Sequence, residues 1–162
     1  MISSQPLINV VLITPEIPQN TGNVIRLCAN AGARLHLVRP LGFRLDEGDL
    51  RRAALDYSDL ADVVIHETTQ TFFDTVFIER VFGTMVNGPT SYIDPEYRAG
   101  DTIVFGSESN GLSKDDISRI LPANRLRIPM LPANRSLNLS NAVAIVVYEM
   151  WRQLKFSGAA VN

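Results

Sequence analysis

The stretch Ile8–Gly32, "INVVLITPEIPQNTGNVIRLCANAG", decides the fold. Ile8–Thr14 is a short apolar, β-branched run ended by "PEIP", which reads as a buried strand followed by a loop. Beyond the loop, Val24, Leu27, Cys28 and Ala31 recur at helical spacing. Asn20 or Thr21 is placed to cap the start of that helix, and Gly32 suits the position just past its end. The alternation continues along the chain. "RLHLV" (Arg34–Val38) and "DVVIH" (Asp62–His66) read as strands, with "DLRRAALDY" (Asp49–Tyr57) as a helix between them. "TQTFFDTVFIER" (Thr69–Arg80) has the pattern of an amphipathic helix with Phe72, Phe73 and Val76 inward. "VFGTMV" and "TIVFG" are further strands, separated by the turn-rich "NGPTSYIDPEYRAG". "SKDDISRIL" reads as a helix capped by Ser113, with two acids in its first turn as the helix dipole favours. "RLRIPM" is a short strand, and the last helix begins near Ser140. Strands alternating with helices predict an α/β fold with a mostly parallel sheet and flanking helices, here as one domain over residues 1–162.

The bulk composition agrees. The chain has 162 residues, 46% of them hydrophobic and 20% charged, enough to bury a core without covalent staples. No apolar run reaches the roughly 18 residues of a membrane span, and the N-terminus lacks the basic start and small-residue cleavage site of a secretory signal. With Cys28 as the one cysteine, a disulfide framework and a Cys-rich metal site are excluded, and a reducing cytoplasm is expected. The net charge of −2 argues against a nucleic-acid partner, but its distribution does not. Residues 57–101 are acidic. They separate two basic zones: Arg26, Arg34, Arg39, Arg44, Arg51 and Arg52, and then Arg119, Arg125, Arg127 and Arg135. Arginine outnumbers lysine thirteen to two, and arginine forks suit bidentate phosphate contacts. Solvated surface charge is the plainer reading of the same pattern.

In a parallel α/β sheet, functional loops lie at the carboxyl ends of strands. Three polar loops occupy that place: "TPEIPQNTGNVIR", "FGSESNGL" and "PMLPANRSLNLSN". Neither a dinucleotide fingerprint nor a phosphate loop is present, and there is no nucleophile elbow. His36 and His66 sit among strand-like apolar residues and read as structural; with a distant Cys28 they offer no metal-ligand spacing. Single residues stay open between two uses on the residues alone. Glu108 could orient a substrate hydroxyl or bond loop amides. Arg26 could be a surface arginine lying along apolar neighbours. Tyr148 has helical core spacing, and Asn138, Ser140 and Asn141 suit caps as well as ligands.

Together, "PEIPQNTGNVIRLCANAG", "FGSESNGL" and "LRIPMLPANRSLNLSNAVAIVVYEMWRQL" closely resemble the three signature motifs of the SPOUT-class RNA 2′-O-ribose methyltransferases. Within that class the chain is most similar to the small, single-domain YibK/TrmL-like group, which methylates the wobble nucleotide of tRNA (cytidine or uridine). "LGFRLDEGDLRRAALDYSDLADV" also resembles that group, so the likeness covers nearly the whole chain. The resemblance implies a parallel-sheet fold with a deep C-terminal trefoil knot, a homodimer, and S-adenosylmethionine held by the knotted loops without a metal. It implies that Thr84, Gly106, Ile128 and Ser136 bind the donor, largely through backbone groups. It places Arg26 at the ribose hydroxyl, and Asn20, Glu108 and Asn138 around the reaction. Arg135 belongs to the cofactor-binding loop, and Asn20, Arg135 and Tyr148 are expected to meet the tRNA. Ser140 and Asn141 are expected to cap the last helix. Two departures stand out: Val86-Asn87-Gly88 replaces the usual Thr-Lys-Gly, and Asn110 stands where a basic residue is common.

A cation beside the ribose oxygen stabilises developing alkoxide character, which is the role expected of Arg26. Arginine stays protonated, so the hydroxyl proton leaves through phosphate, water or another side chain. The same residues are compatible with two alternatives: methylation of another tRNA or rRNA position, and a non-catalytic RNA-binding relative.

Overall fold

The computed structural model describes residues 5–45 and 62–161; the helix expected at Asp49–Tyr57 lies outside them. Among the described residues, seven strands form one sheet in the order β3-β2-β1-β6-β4-β7-β5, and every pairing between them is parallel. The strands are β1 (Ile8–Ile13), β2 (Ala33–Val38), β3 (Asp62–His66), β4 (Val81–Thr84), β5 (Thr90–Ser91), β6 (Asp101–Phe105) and β7 (Arg125–Arg127). The α-helices among the described residues are α1 (Pro18–Ala31), α2 (Thr69–Phe73), α3 (Lys114–Ser118) and α4 (Leu139–Gln153).

Residues alternate across each strand, so the sheet carries two cores. On one face Ile8, Val10, Leu12, Leu35, Leu37, Ile103 and Phe105 pack against Val24 and Cys28 of α1 and Val143, Val147 and Met150 of α4. On the other, Val11, Ile13, Val38, Val81 and Val104 pack against Phe72, Leu112 and Ile120. Strands buried on both faces are near-continuous apolar runs, which is how "INVVLI" and "TIVF" read. Burial pushes the Cys28 thiol up to about 12, so it acts here as a small apolar side chain.

Several local expectations change in the folded chain. Helix α1 starts earlier than Asn20 or Thr21: Pro18 takes the first turn, Ile17 is the N-cap, and no side chain of the helix itself caps it. Its far end is as expected, with Gly32 in the left-handed region at φ 65. The amphipathic run Thr69–Arg80 is helical only to Phe73; a turn and a 3-10 segment, Ile78–Arg80, follow. The Thr75 hydroxyl donates to the Phe72 carbonyl at 2.7 Å and competes with helix continuation, and Thr75 and Val76 are both β-branched. Phe72 is nonetheless fully buried, with Phe73 and Val76 packed beside it. Ser113 caps α3 as expected, in a reciprocal box with Asp116. At α4 the cap is Asn138, not Ser140 or Asn141: the Asn138 Oδ1 accepts from the backbone N–H groups of both, because α4 begins one residue before Ser140.

The two histidines form one unit. Asn9 Nδ2 donates to the Gly100 carbonyl at 3.0 Å, which turns Asn9 Oδ1 toward His36 Nε2 at 3.1 Å. His36 Nε2 is therefore the protonated nitrogen, and His36 Nδ1 accepts from His66 Nε2 at 2.9 Å. Both rings lie against Phe72. Burial, then the neighbouring His66 and Arg34 charges, lower His36 to about 4 against a partial opposing effect of Asp62; burial also lowers His66. An unfolded chain takes up these protons below about pH 6.5 while the folded chain refuses them. Stability is thus full above that pH and falls as pH drops from there toward 4, by up to about 3 kcal/mol for His36. Urea unfolding at pH 7 and pH 5 is expected to show this loss in the wild type and a shallower one in His36→Leu; an equal loss in both would remove the assignment.

Candidate functional site

The strand order places the carboxyl ends of β1, β6, β4 and β7 side by side, although they are scattered along the chain. The segments leaving those ends border an open cavity of about 630 Å³. Ile17 and Asn20 come from the segment after β1, and Gly106–Leu112 from the loop after β6. Thr84, Met85 and Val86 continue β4; Ile128, Met130 and Arg135–Asn138 follow β7, and Leu139 and Ala142 open α4. The volume lies within the range of small-molecule sites, roughly 300–1,000 Å³. Met85, Val86, Ile128, Met130 and Leu137 make apolar walls, and loop amides and small polar side chains make the rest.

A chain of hydrogen bonds joins three of these segments. Glu108 Oε2 accepts from the Glu16 N–H at 2.7 Å, and Oε1 accepts from the Ile17 N–H at 3.0 Å and from Asn20 Nδ2 at 3.2 Å. A carboxylate 92 residues away in sequence thus serves the α1 N-terminus, which has no cap of its own, and its negative charge suits that end of the helix. Asn20 Oδ1 in turn accepts from Asn138 Nδ2 at 3.1 Å. Asn138 Oδ1 is occupied with Ser140 and Asn141, including the Ser140 hydroxyl at 2.7 Å. Asn138 therefore lines the cavity and caps α4 at once.

The loop after β6 depends on two glycines for different reasons. A Cβ on Gly106 would stand 1.9 Å from the Gly111 carbonyl carbon and 2.2 Å from the Leu112 nitrogen, both backbone. Gly111 has open space but lies at φ 65. Within the loop the Gly111 N–H donates to the Ser107 carbonyl at 2.9 Å.

Of the residues anticipated from the sequence, Thr84, Gly106, Ile128, Ser136, Asn20, Arg135, Glu108 and Asn138 all line this cavity. Arg26 and Tyr148 are not among its walls. Arg26 is exposed on α1, six residues beyond Asn20 and so about 120° around the helix and ~9 Å along it. Tyr148 is 44% exposed on α4, with its ring against the edge of Trp151. Residues the sequence did not single out are Met85, Met130, Ser107, Ser109 and Glu16. Glu16 was visible only as the acid of a loop after a strand. Among the described residues, no group of three or more His, Cys, Asp and Glu side chains could hold a metal ion. No helix among them is long and apolar enough to cross a membrane.

Comparison with known proteins matches residues 7–148 to the family described as "SpoU rRNA Methylase family". A protein of Burkholderia pseudomallei named tRNA (cytidine(34)-2'-O)-methyltransferase is 50% identical over 156 residues, 95% of this chain and 100% of its own length. A solved structure described as "Structural insights into the 2-OH methylation of C/U34 on tRNA" superimposes with a TM-score of 0.87 at 41% identity, covering 94% of this chain and 99% of that one. A SpoU methyltransferase from Streptomyces viridochromogenes, solved "in complex with the cofactor AdoMet", shares the fold at a TM-score of 0.83 and 23% identity, over 95% of this chain and 60% of that one.

Proposed function

The chain belongs to the SpoU rRNA methylase family, and from that premise we propose that it methylates the ribose 2′-oxygen of the wobble nucleotide of tRNA, cytidine or uridine, using S-adenosylmethionine. The observation that carries this reading is the convergence of three family-like loops, remote in sequence, on one cavity of about 630 Å³. The relatives named for this activity match over nearly the whole chain, which supports the tRNA substrate over an rRNA one. The Asn87 and Asn110 departures then concern how the RNA is gripped.

The cavity suits the donor. Its size fits a nucleoside with an amino-acid tail, it offers apolar walls beside loop amides, and the backbone packing at Gly106 leaves no room for a side chain. Thr84, Gly106, Ile128 and Ser136 would hold the donor, which when bound supplies a methyl group already activated on a sulfonium centre. What this chain's residues must supply is position and charge. Fixing the ribose oxygen against the methyl carbon can account for several kcal/mol of the barrier. Asn20 and Asn138, bonded to each other at 3.1 Å, form a rigid edge of the cavity against which a ribose can be set. Arg135, in the cavity wall, would meet RNA phosphate through its guanidinium fork. Arg26, outside the walls of its own cavity, acts on the ribose hydroxyl of the site in a second copy of the chain, within a homodimer to which Tyr148 also contributes. The further expectations of the family, one catalytic domain over residues 1–162, a C-terminal trefoil knot and a cytoplasmic location, belong to the same reading.

Purified protein with S-adenosylmethionine and bulk tRNA is expected to yield 2′-O-methylation confined to the wobble nucleotide, read by mass spectrometry of mapped fragments. Methylation at another tRNA or rRNA position would replace the substrate. Donor and RNA binding without transfer to any RNA would make the chain a binding module.

A further inference from the structure

The cavity wall Gly106–Leu112 is a loop that leaves β6 and must hold one shape to present its amides. Among the described residues, its hydrogen bonds to other parts of the chain run to a single short segment, Glu16–Asn20. Glu16 is at the centre of that contact and engages two adjacent loop residues in opposite senses. Its own N–H donates to Glu108 Oε2 at 2.7 Å. Its carboxylate Oε1 accepts from the Ser109 hydroxyl at 2.5 Å and from the Ser109 N–H at 3.4 Å. The post itself is fixed from behind: a Cβ on Gly42 would stand 2.7 Å from Glu16 Cα, and the Gly42 N–H donates to the Pro15 carbonyl at 2.9 Å. Glu16 does not line the cavity.

We propose that Glu16 is a positioning residue for the methyl donor, clamping the Gly106–Leu112 loop through Ser109 and Glu108 in the shape that binds S-adenosylmethionine. The inference rests on the methyltransferase reading above. Glu16 differs from an ordinary surface acid, because this half-buried side chain is tied to a segment 93 positions away that forms the cavity wall. Hydrogen bonds from the Ser109 and then Ser107 side chains hold its carboxyl below the usual range, so the charged acceptor persists across neutral and mildly acidic pH.

Calorimetric titration with S-adenosylmethionine and with S-adenosylhomocysteine tests it. Glu16→Ala is expected to weaken both by about tenfold, the scale of one or two lost hydrogen bonds. Its donor KM rises in step while kcat on saturating tRNA changes by less than about threefold. Glu16→Gln keeps an amide oxygen able to accept both bonds and retains near-normal affinity. Ser109→Ala falls between, and adding it to Glu16→Ala weakens binding no further, as expected of one shared contact. Thermal unfolding of Glu16→Gln and Ser109→Ala stays close to wild type. Wild-type affinity in Glu16→Ala, equal losses in Glu16→Ala and Glu16→Gln, or additive losses in the double variant would each overturn the role of Glu16. A wild-type protein that binds no donor would instead overturn the methyltransferase reading itself.

Discussion

Gly106→Ala is expected to lose methyl-donor binding by at least about 100-fold while the chain still folds, with a stability loss of about 1–3 kcal/mol, the usual range for an overpacked site. The added methyl would meet Gly111 and Leu112 backbone at 1.9–2.3 Å, far inside contact distance, and backbone cannot rotate aside as a side chain can. Relief requires the Ser107–Gly111 turn to open, and with it the wall that Ser107, Glu108, Ser109 and Asn110 give the cavity. Gly111→Ala is the internal comparison. It meets nothing within 4 Å and bears only the penalty of a left-handed backbone, about 1 kcal/mol. Titration with S-adenosylmethionine beside circular dichroism of both variants separates the two causes. Equal donor affinities in Gly106→Ala and Gly111→Ala would refute the steric argument.

Arg26→Ala is expected to bind donor normally and to lose transfer by roughly 10²–10³, the scale of removing one preorganised charge from a developing oxyanion. Normal donor binding follows because Arg26 is not among the cavity walls. The helix phase that turns Asn20 toward the cavity carries Arg26 about 120° away. If Arg26 serves a partner's cavity, two inactive subunits can complement. In a heterodimer of Arg26→Ala with Gly106→Ala, purified through two different tags, one site combines an intact cavity with an intact arginine, and about half of wild-type activity per dimer is expected. An arginine acting on its own cavity predicts none. Near-normal turnover of Arg26→Ala alone on saturating tRNA would end the role altogether.

Much of the fold could be read without the structure, and the reason is local. Apolar runs such as Ile8–Ile13 and Thr102–Phe105 report burial on both faces, and the polar stretches between them report loops. The exceptions are also local in form but not in cause. At Thr69–Arg80 the side-chain spacing promised a longer helix, and a threonine hydroxyl bonded to Phe72 accompanies its end. Asn20 and Thr21 suggest a cap for α1 because a sequence pattern can only offer neighbours, whereas Glu108 reaches the start of the helix from another strand's loop and accepts from the Glu16 and Ile17 N–H groups just before it.

The site divides along the same line. The three loops, and through their resemblance eight of the residues around the cavity, were available from the sequence. Their meeting was not. Any two apolar parallel strands can pair with similar energy, so periodicity does not say which strands are neighbours. The choice of β6 beside β1, then β4 and β7, is made when both sheet faces are covered at once. By itself, then, the sequence determined most of the strands, their alternation with helices and the residue types carried by each loop, but neither the early end of the helix at Phe73 nor the short strand Thr90–Ser91. Only the tertiary structure decided that Glu16 faces Ser109, that Asn20 bonds Asn138, and that Arg26 stands outside the cavity its own helix borders. The first two depend on strand order across 93 and 118 residues, beyond the reach of any local pattern, and the third on which face of α1 that order turns toward the cavity.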